Sequence, residues 1–345
     1  MPRTRHSPPA RPRPNDEPTF EERPSEAPGK GMICLAVYNP NRELFERQLL
    51  SISRQTITDW ECLVGIDGPD PEVAEFIDQI VCGDRRFQVV QFGENVGHYR
   101  NFERLTNALA SDVAWFALAD QDDDWWPNKL ELLLAEMSST DANVVCGQAR
   151  VVTDSGRQIG RTHRRNSTTF GLLMNNQITG STSVFKRSVL DLALPFPTPT
   201  DGAYHDHWLG VCAKALGRAH VVTTVVQDYV QHTNNVVGEE RRWRLRARIR
   251  RIRMDGNRLS DSVRYISKNR WGWRVEMARC LVMRLGGALD PRVREVAEGR
   301  LTRSLASALA SATLRHEVPA ERALGLLVGA YAWPRLLHGS QVSGA

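Results

Sequence analysis

Hydrophobic runs and amphipathic stretches alternate along the first part of the chain. Four apolar runs are typical of strands buried on both faces, and they span residues 33–38, 60–66, 87–92 and 113–119. Between the first two, Leu44, Leu49 and Ile52 recur at helical spacing. The pattern predicts β-α-β-α-β-α-β, and therefore a doubly wound, mostly parallel sheet with right-handed crossovers.

Polar residues stand at the point where each apolar run ends. Asn39 follows the first run, Asp67 the second, Asn95 the third and Asp120 the fourth. Ligands of parallel α/β sheets bind beyond the carboxyl ends of the strands. The sequence therefore predicts an active site at this edge of the sheet.

The rest of the chain is less regular. Residues 144–152 and 221–230 are expected to form strands, and residues 205–216 a helix. Residues 239–340 have a helical pattern throughout. The predicted fold class is α/β, a doubly wound sheet followed by a helical basic C-terminal extension.

Composition divides the chain into three parts, which are residues 1–30, 31–238 and 239–345. The first part has eight prolines, five arginines and one aromatic residue, Phe20. Such a segment buries too little apolar surface to offset its ordering entropy, so we expect a disordered tail.

The cellular location is predicted from what the sequence lacks. The N-terminus has no apolar core of a secretion signal, and no run approaches the length of a membrane-spanning helix. The six cysteines form no CxxC pair and several lie in apolar runs, which is typical of reduced, buried thiols. We expect a cytoplasmic protein.

Charge is distributed unevenly. Residues 1–238 carry a net charge of −7 and residues 239–345 of +12. Eight arginines lie between Arg241 and Arg253, around an apolar stripe of Leu245, Ile249 and Ile252. Such a helix is suited to the anionic inner face of a membrane, to packing on the rest of the protein, or to nucleic acid. The acidic first part argues against nucleic acid, and no nucleic-acid partner is expected.

The strongest chemical motif is an acidic segment after the fourth run. Asp120, Asp122, Asp123 and Asp124 stand within five residues and repel one another unless a cation is present. A hard divalent ion, Mg²⁺ or Mn²⁺, held by carboxylates and substrate phosphates fits this arrangement. The alternative is an acidic loop that caps the helix beginning near Pro127.

These motifs resemble those of family-2 glycosyltransferases with the GT-A fold. The resemblance covers residues 31–238, and the Asp-Gln-Asp-Asp-x-Trp form is closest to rhamnosyltransferase-like members. It rests on four segments: Val37-Tyr38-Asn39, Asp67, Asn95-Val96-Gly97 with Arg100-Asn101, and Asp120-Gln121-Asp122-Asp123. One departure lies after the second strand, where Asp67-Gly68-Pro69 replaces an Asp-Asp-Gly-Ser type sequence.

The resemblance implies roles for the motif residues. The nucleotide sugar would contact Tyr38, Asn39, Asp67, Asn95, Gly97, Asn101, Asp120 and Gln121. The metal would contact Asp122, Asp123 and His232, the last in a Gln-His-x-x-Asn stretch that closes over the diphosphate. A histidine after a strand is equally well explained as a structural residue.

The resemblance also assigns the acceptor side. Asp206, at the start of a late helix, matches the general base. The alternative is that it only caps that helix. Residues near the acceptor would be Gly180, Trp125, His205 and Trp208. His205 and His207 are two residues apart and point to different faces of a helix, which argues against a transition-metal site.

The implied reaction is inverting transfer of a sugar from a nucleoside-diphosphate sugar to a glycan or lipid-linked glycan in surface polysaccharide synthesis. The motif form favours dTDP-rhamnose as donor. Two alternatives stay open: a nucleotidyltransferase with the same metal-carboxylate site, and a non-enzymatic module that binds a membrane surface.

Overall fold

The computed structural model describes residues 29–231 and 256–339. Residues 1–28 of the Pro- and Arg-rich tail, His232 and the Arg241–Arg253 segment lie outside these ranges. Predictions on them are therefore neither confirmed nor contradicted.

The first half of the sheet is parallel, as the hydrophobic pattern predicts. Its strands are β1 (Gly31–Val37), β2 (Trp60–Ile66), β3 (Phe87–Gln91) and β4 (Trp115–Ala119), and they alternate with α1 (Arg42–Ser53), α2 (Pro71–Val81) and α3 (His98–Asn107). The spatial order is β3-β2-β1-β4, with every neighbouring pair parallel.

The second half of the sheet mixes strand directions. It contains β5 (Asp124–Trp125), β6 (Val144–Thr153), β7 (Gln158–Arg161), β8 (Ser183–Lys186) and β9 (Ala219–Gln231). Strand β8 lies antiparallel between β4 and β6, and β9 runs parallel to β6. The helices here are α4 (Lys129–Thr140), α5 (Thr169–Met174), α6 (Val189–Ala193) and α7 (His205–Leu216), the last at its predicted bounds.

Local sequence explains why the elements begin where they do. The Asn41 side chain accepts hydrogen bonds from the amides of Glu43 and Leu44 and caps α1. The Asp70 side chain caps α2 in the same way, and Pro71 occupies the first helical position. Each helix is thereby joined directly to the end of the preceding strand.

Both faces of β1 are buried, which explains its unbroken apolar run. Cys34 and Ala36 belong to one core cluster, and Ile33 and Leu35 belong to another on the opposite face. Helices cover both faces of the sheet, so the polar edge formed by the strand ends is the part left open for a ligand.

The C-terminal region is helical, as predicted. Its elements are α8 (Gly256–Tyr265), a π-helical turn (Ile266–Trp271), α9 (Gly272–Leu285), α10 (Pro291–Ala297), α11 (Arg303–Leu314) and α12 (Ala320–Gly339). Within the described ranges, no helix is both long and apolar enough to cross a bilayer.

The C-terminal helices share a hydrophobic core with the sheet domain. Trp271 and Trp273 are fully buried in the same cluster as Trp208 of α7 and Phe170 of α5. Glu317 accepts a hydrogen bond of 2.8 Å from the Thr168 hydroxyl and anchors the start of α5. The described part of the extension is therefore packed tightly on the sheet domain.

Candidate active site

The ends of β1 and β4 are tied together at the open edge of the sheet. The Gln121 side chain accepts a hydrogen bond of 2.8 Å from the Tyr38 amide and donates one of 3.0 Å to the Tyr38 carbonyl. The Tyr38 side chain is exposed, and Asn39 has a left-handed backbone with φ of 43°. Two predicted nucleotide contacts, Tyr38 and Gln121, are thus held next to each other.

Asp67 fixes the loop that follows β3. Its carboxylate accepts hydrogen bonds of 2.9 Å from the amides of Val96 and Gly97 and forms an ion pair with Arg104. The Arg104 guanidinium in turn lies 3.8 Å from the centre of the Phe92 ring. Because Asp67 is only 3% exposed, its carboxylate supports the loop from below. Arg104 is a site residue that the sequence analysis missed.

The other residues predicted to bind the nucleotide differ in how exposed they are to solvent. Asn101 is buried, and its side chain donates to the Gly65 carbonyl at 3.0 Å and accepts from Arg104 at 3.2 Å. Asn95 is exposed on the loop that Asp67 supports. Gly97, with φ of 81°, provides the turn into α3. Asn95 therefore faces solvent at the edge, whereas Asn101 joins α3 to β2.

The acidic segment after β4 separates into two environments. Asp120 and Asp122 are half-buried, whereas Asp123 is fully buried. The Asp123 carboxylate accepts a hydrogen bond of 2.6 Å from Gln227, and its other oxygen has no hydrogen-bond partner. Burial, with the nearby charges of Asp122 and Asp120, raises the pKa of Asp123 well above its usual value. We therefore propose a structural role for Asp123 beside the role in metal binding that its motif implies.

A buried lysine completes the network around Asp123. The Lys129 ammonium donates to the Ser181 carbonyl and, at 2.7 Å, to the Gln227 side chain. It also lies 3.3 Å from the centre of the buried Trp125 ring. Burial lowers the pKa of Lys129 well below its usual value, although Asp123 and Asp120 oppose the shift. The network fixes the acidic segment to β9 and to the turn at residues 180–182.

The half-buried carboxylates suit a divalent ion that also binds substrate phosphates. Within residues 29–231 and 256–339, no group of three or more His, Cys, Asp or Glu side chains is arranged to hold an ion alone. Mg²⁺ is usually held by one or two carboxylates together with substrate phosphates. Asp120 and Asp122 provide hard oxygen ligands of this kind, so the residues present fit such an ion.

His98 lies among the acidic groups and was not identified from the sequence. Its Nε2 atom lies 3.5 Å from the Asp120 carboxylate. Burial by itself lowers the pKa of His98. The hydrogen bond to Asp120 and the negative charges of Asp120, Asp206 and Asp122 have a larger, opposite effect, so the pKa is raised overall. His98 is thus within electrostatic reach of all three carboxylates. The feature of the sequence that could have identified His98 is its position directly after Gly97.

Asp206 is held at the first turn of α7. One carboxylate oxygen accepts a hydrogen bond of 3.0 Å from the Asn176 side chain, and the other accepts one of 3.2 Å from the Gly180 amide. A Cβ atom at Gly180 would lie 3.0 Å from the His205 ring and 3.3 Å from the Cβ of Asp206, so a larger residue there would require these side chains to shift. Burial raises the pKa of Asp206 above the usual value of an aspartate.

The other histidines and tryptophans that the sequence analysis named differ in their surroundings. His205 stacks on Phe102 with ring centres 4.0 Å apart, and burial lowers its pKa. His207 contacts the Leu172 carbonyl at 2.8 Å on the other face of α7, as the spacing predicts. Trp125 and Trp208 are 2% and 0% exposed. We therefore propose packing roles for both indoles, and a place for His205 at the floor of the site.

Three comparisons relate this site to known proteins. Residues 32–189 match the model of the family described as glycosyl transferase family 2. An uncharacterised protein of Sinorhizobium fredii, y4gI, is 29% identical over 126 residues, which are 36% of this chain and 14% of that protein. The chain thus spans a small part of the length of this relative.

Solved structures share the fold across most of the chain. The crystal structure of S. aureus TarS 1-349 has a TM-score of 0.54 at 10% identity and covers 90% of this chain and 92% of its own. The same fragment in complex with UDP-GlcNAc has a TM-score of 0.51 at 13% identity, with coverages of 89% and 92%. These findings lead to one assignment: residues 32–189 form a glycosyltransferase domain of family 2, in a chain with a GT-A-like fold.

Proposed function

We propose that this protein is an inverting glycosyltransferase that moves a sugar from a nucleoside-diphosphate sugar to a hydroxyl of a glycan or lipid-linked glycan. The observation that carries the proposal is the position of His98, which lies 3.5 Å from the Asp120 carboxylate and has its ring centre 4.8 Å from that of His205, the residue before Asp206. The charges of Asp120, Asp206 and Asp122 all act to raise the pKa of His98. This arrangement brings a pair of metal-suited carboxylates close to a carboxylate suited to be a base. Non-enzymatic membrane binding requires no such arrangement.

The donor would bind along the ends of β1, β3 and β4. Tyr38, Asn39 and Asn95 are exposed there for the nucleoside, and Asp67 fixes the loop that carries Asn95. Asp120 and Asp122 would hold Mg²⁺ or Mn²⁺ against the diphosphate. The ion, when bound, offsets negative charge on the leaving group. His98 would hold the Asp120 carboxylate in place through their contact.

The acceptor would be activated by Asp206. The base must be ionised and within hydrogen-bond reach of the acceptor hydroxyl. The hydrogen bonds from Asn176 and Gly180 fix the orientation of the carboxylate, and the raised pKa makes it a stronger base than an ordinary aspartate. Asp206 would take the proton as the hydroxyl oxygen bonds to the anomeric carbon and the bond to the diphosphate oxygen breaks.

Two donors are compatible with this proposal. The Asp120-Gln121-Asp122-Asp123 form with Trp125 favours dTDP-rhamnose. The complex of S. aureus TarS with UDP-GlcNAc makes UDP-sugars the second class to test. We place the reaction in the synthesis of surface polysaccharides.

Thermal unfolding in the presence of nucleotides tests the proposed function first. We expect one nucleoside diphosphate and its sugar to raise the midpoint in a concentration-dependent way, because a ligand of the native state stabilises that state. Mn²⁺ should enhance the shift, and EDTA should remove the enhancement. Nucleoside triphosphates that stabilise the protein and are cleaved to pyrophosphate would instead indicate a nucleotidyltransferase. No shift with any compound would overturn the assignment of the donor site.

We also propose peripheral contact with the anionic inner face of a membrane. The support is the sequence between Arg241 and Arg253, which combines eight arginines with an apolar stripe. We expect the protein to sediment with vesicles that contain phosphatidylglycerol. Changing Arg246, Arg250 and Arg253 to Glu should abolish this sedimentation. Equal behaviour of the native protein with neutral and anionic vesicles would refute the contact.

A further inference from the structure

A basic strap lies on the acceptor side of the site. We use this name for residues 161–166, Arg-Thr-His-Arg-Arg-Asn, which follow β7. No Asp or Glu occurs anywhere between residues 155 and 190, whereas residues 120–124 contain four. The two sides of the site therefore differ in the sign of their charge.

The strap is held rigidly by two side chains. Gln148, 3% exposed, accepts a hydrogen bond of 2.8 Å from the Arg164 amide and donates one of 3.1 Å to the Arg164 carbonyl. Asn166 pairs with the backbone of Val221 through hydrogen bonds of 2.8 Å and 3.2 Å. Ordering a basic loop in this way reduces the entropy that it loses when it binds a ligand.

The strap is connected to the candidate base through two residues. The Arg165 amide donates to the Gln177 side chain at 3.1 Å, and an Arg164 guanidinium nitrogen lies 3.5 Å from the Asn176 carbonyl. Asn176 itself donates to Asp206. In space, Asn176 alone therefore connects the Arg164 guanidinium to the Asp206 carboxylate, which would deprotonate the acceptor.

Arg164 still has capacity to bind a ligand. Its side chain is only half-buried, and its contact with the Asn176 carbonyl is long at 3.5 Å. Both oxygens of Asp206 already accept hydrogen bonds, from Asn176 and Gly180. His163 and Arg165 are exposed beside it. An anionic oxygen would satisfy the guanidinium better than any neutral partner.

We propose that the basic strap binds an anionic group of the acceptor glycan, a phosphate or a carboxylate, with Arg164 as the principal contact. The proposal rests on the proposed function, because it identifies the acceptor side by the position of Asp206.

Titration calorimetry with three tetrasaccharide probes tests the proposal. The probes are neutral maltotetraose, maltotetraose 6-phosphate and tetragalacturonate, and the donor site is filled with the nucleoside diphosphate and Mn²⁺ that stabilise the protein most. We expect at least one anionic probe to bind about tenfold or more tightly than maltotetraose, as hydrogen bonds to charged groups allow. The two anionic probes separate a phosphate from a carboxylate preference.

Substitutions then assign the preference to the strap. Arg164→Gln should remove it, whereas Arg157→Gln, an exposed arginine in the same basic region, should retain it. If Arg164→Gln does not fold, Arg165→Gln and the weakening of native binding by added salt provide the same test. Equal affinities for neutral and anionic probes would overturn the proposal.

A purely structural role of Arg164 is also distinguishable. Such a role would shift the pH dependence of transfer while leaving the affinity for anionic probes unchanged, and that result would overturn the proposal. Binding of the nucleotide sugar, measured separately, should be the same in Arg164→Gln and the native protein. If the native protein binds no nucleotide sugar at all, the proposed function is refuted, and not only the role of the strap.

Discussion

Asp206→Asn is expected to lower the turnover of sugar transfer by about 10²–10⁴-fold, the usual contribution of a positioned base. Asparagine has the same shape, so the contact with the Gly180 amide can persist while the ability to accept a proton is lost. Donor binding should be spared, because the proposed donor contacts lie at the ends of β1, β3 and β4. Release of nucleoside diphosphate and binding of nucleotide sugar measure the two properties separately.

The control for this change is Asp201→Asn, an exposed aspartate in the loop before α7. It should leave turnover unchanged. The pH dependence gives a second readout. Since burial raises the pKa of Asp206, turnover of the native protein should fall on acidification at a higher pH than an ordinary aspartate would give. The turnover of the Asn variant should not show this fall on acidification. Undiminished transfer by the Asn variant would refute the assignment of Asp206 as the base.

Lys129→Met is expected to lower the free energy of unfolding by about 2 kcal/mol, the scale for leaving buried hydrogen-bond acceptors without their donor. The ammonium of Lys129 satisfies the Ser181 carbonyl and the Gln227 side chain, and methionine leaves both without their donor. Chemical denaturation followed by tryptophan fluorescence measures the loss. The acidic segment should also become more mobile, so metal-enhanced nucleotide binding should weaken.

An exposed lysine in the C-terminal helices serves as the control. Lys268→Met should change stability by no more than about 0.5 kcal/mol, as surface substitutions usually do. Repeating Lys129→Met in an Asp123→Asn background tests whether the two groups interact, because coupled residues give non-additive losses. A loss no greater than that of Lys268→Met would show that the buried network contributes little to stability.

Much of the fold was predictable because its signals are local. The apolar runs at β1 to β4 have the length and continuity of strands buried on both faces, and Pro71 marks the start of α2. The strand directions beyond β4 were not predictable. Strand β5 has only two residues, and it pairs with Gln227 and Asp228, which lie about a hundred positions later in the chain.

The candidate site was predicted in outline and not in detail. The acidic segment was identified by its position after a buried strand, and Asp206 by the resemblance to family-2 glycosyltransferases. Arg104 and His98 were missed, because nothing in their local sequence shows that they meet Asp67 and Asp120. Lys129 follows a Pro-Asn turn and has the sequence context of a surface lysine, yet it is fully buried.

The sequence by itself determined the parallel sheet, the polar edge formed by its strand ends, and the acidic segment at the end of β4. These features follow from the hydrophobic periodicity and the order of the elements, which are local properties of the sequence. Only the tertiary structure decided how the carboxylates divide, with Asp120 and Asp122 half-buried at the open edge and Asp123 buried against Gln227. A charged group is buried only where partners compensate its lost hydration, and here distant segments supply them.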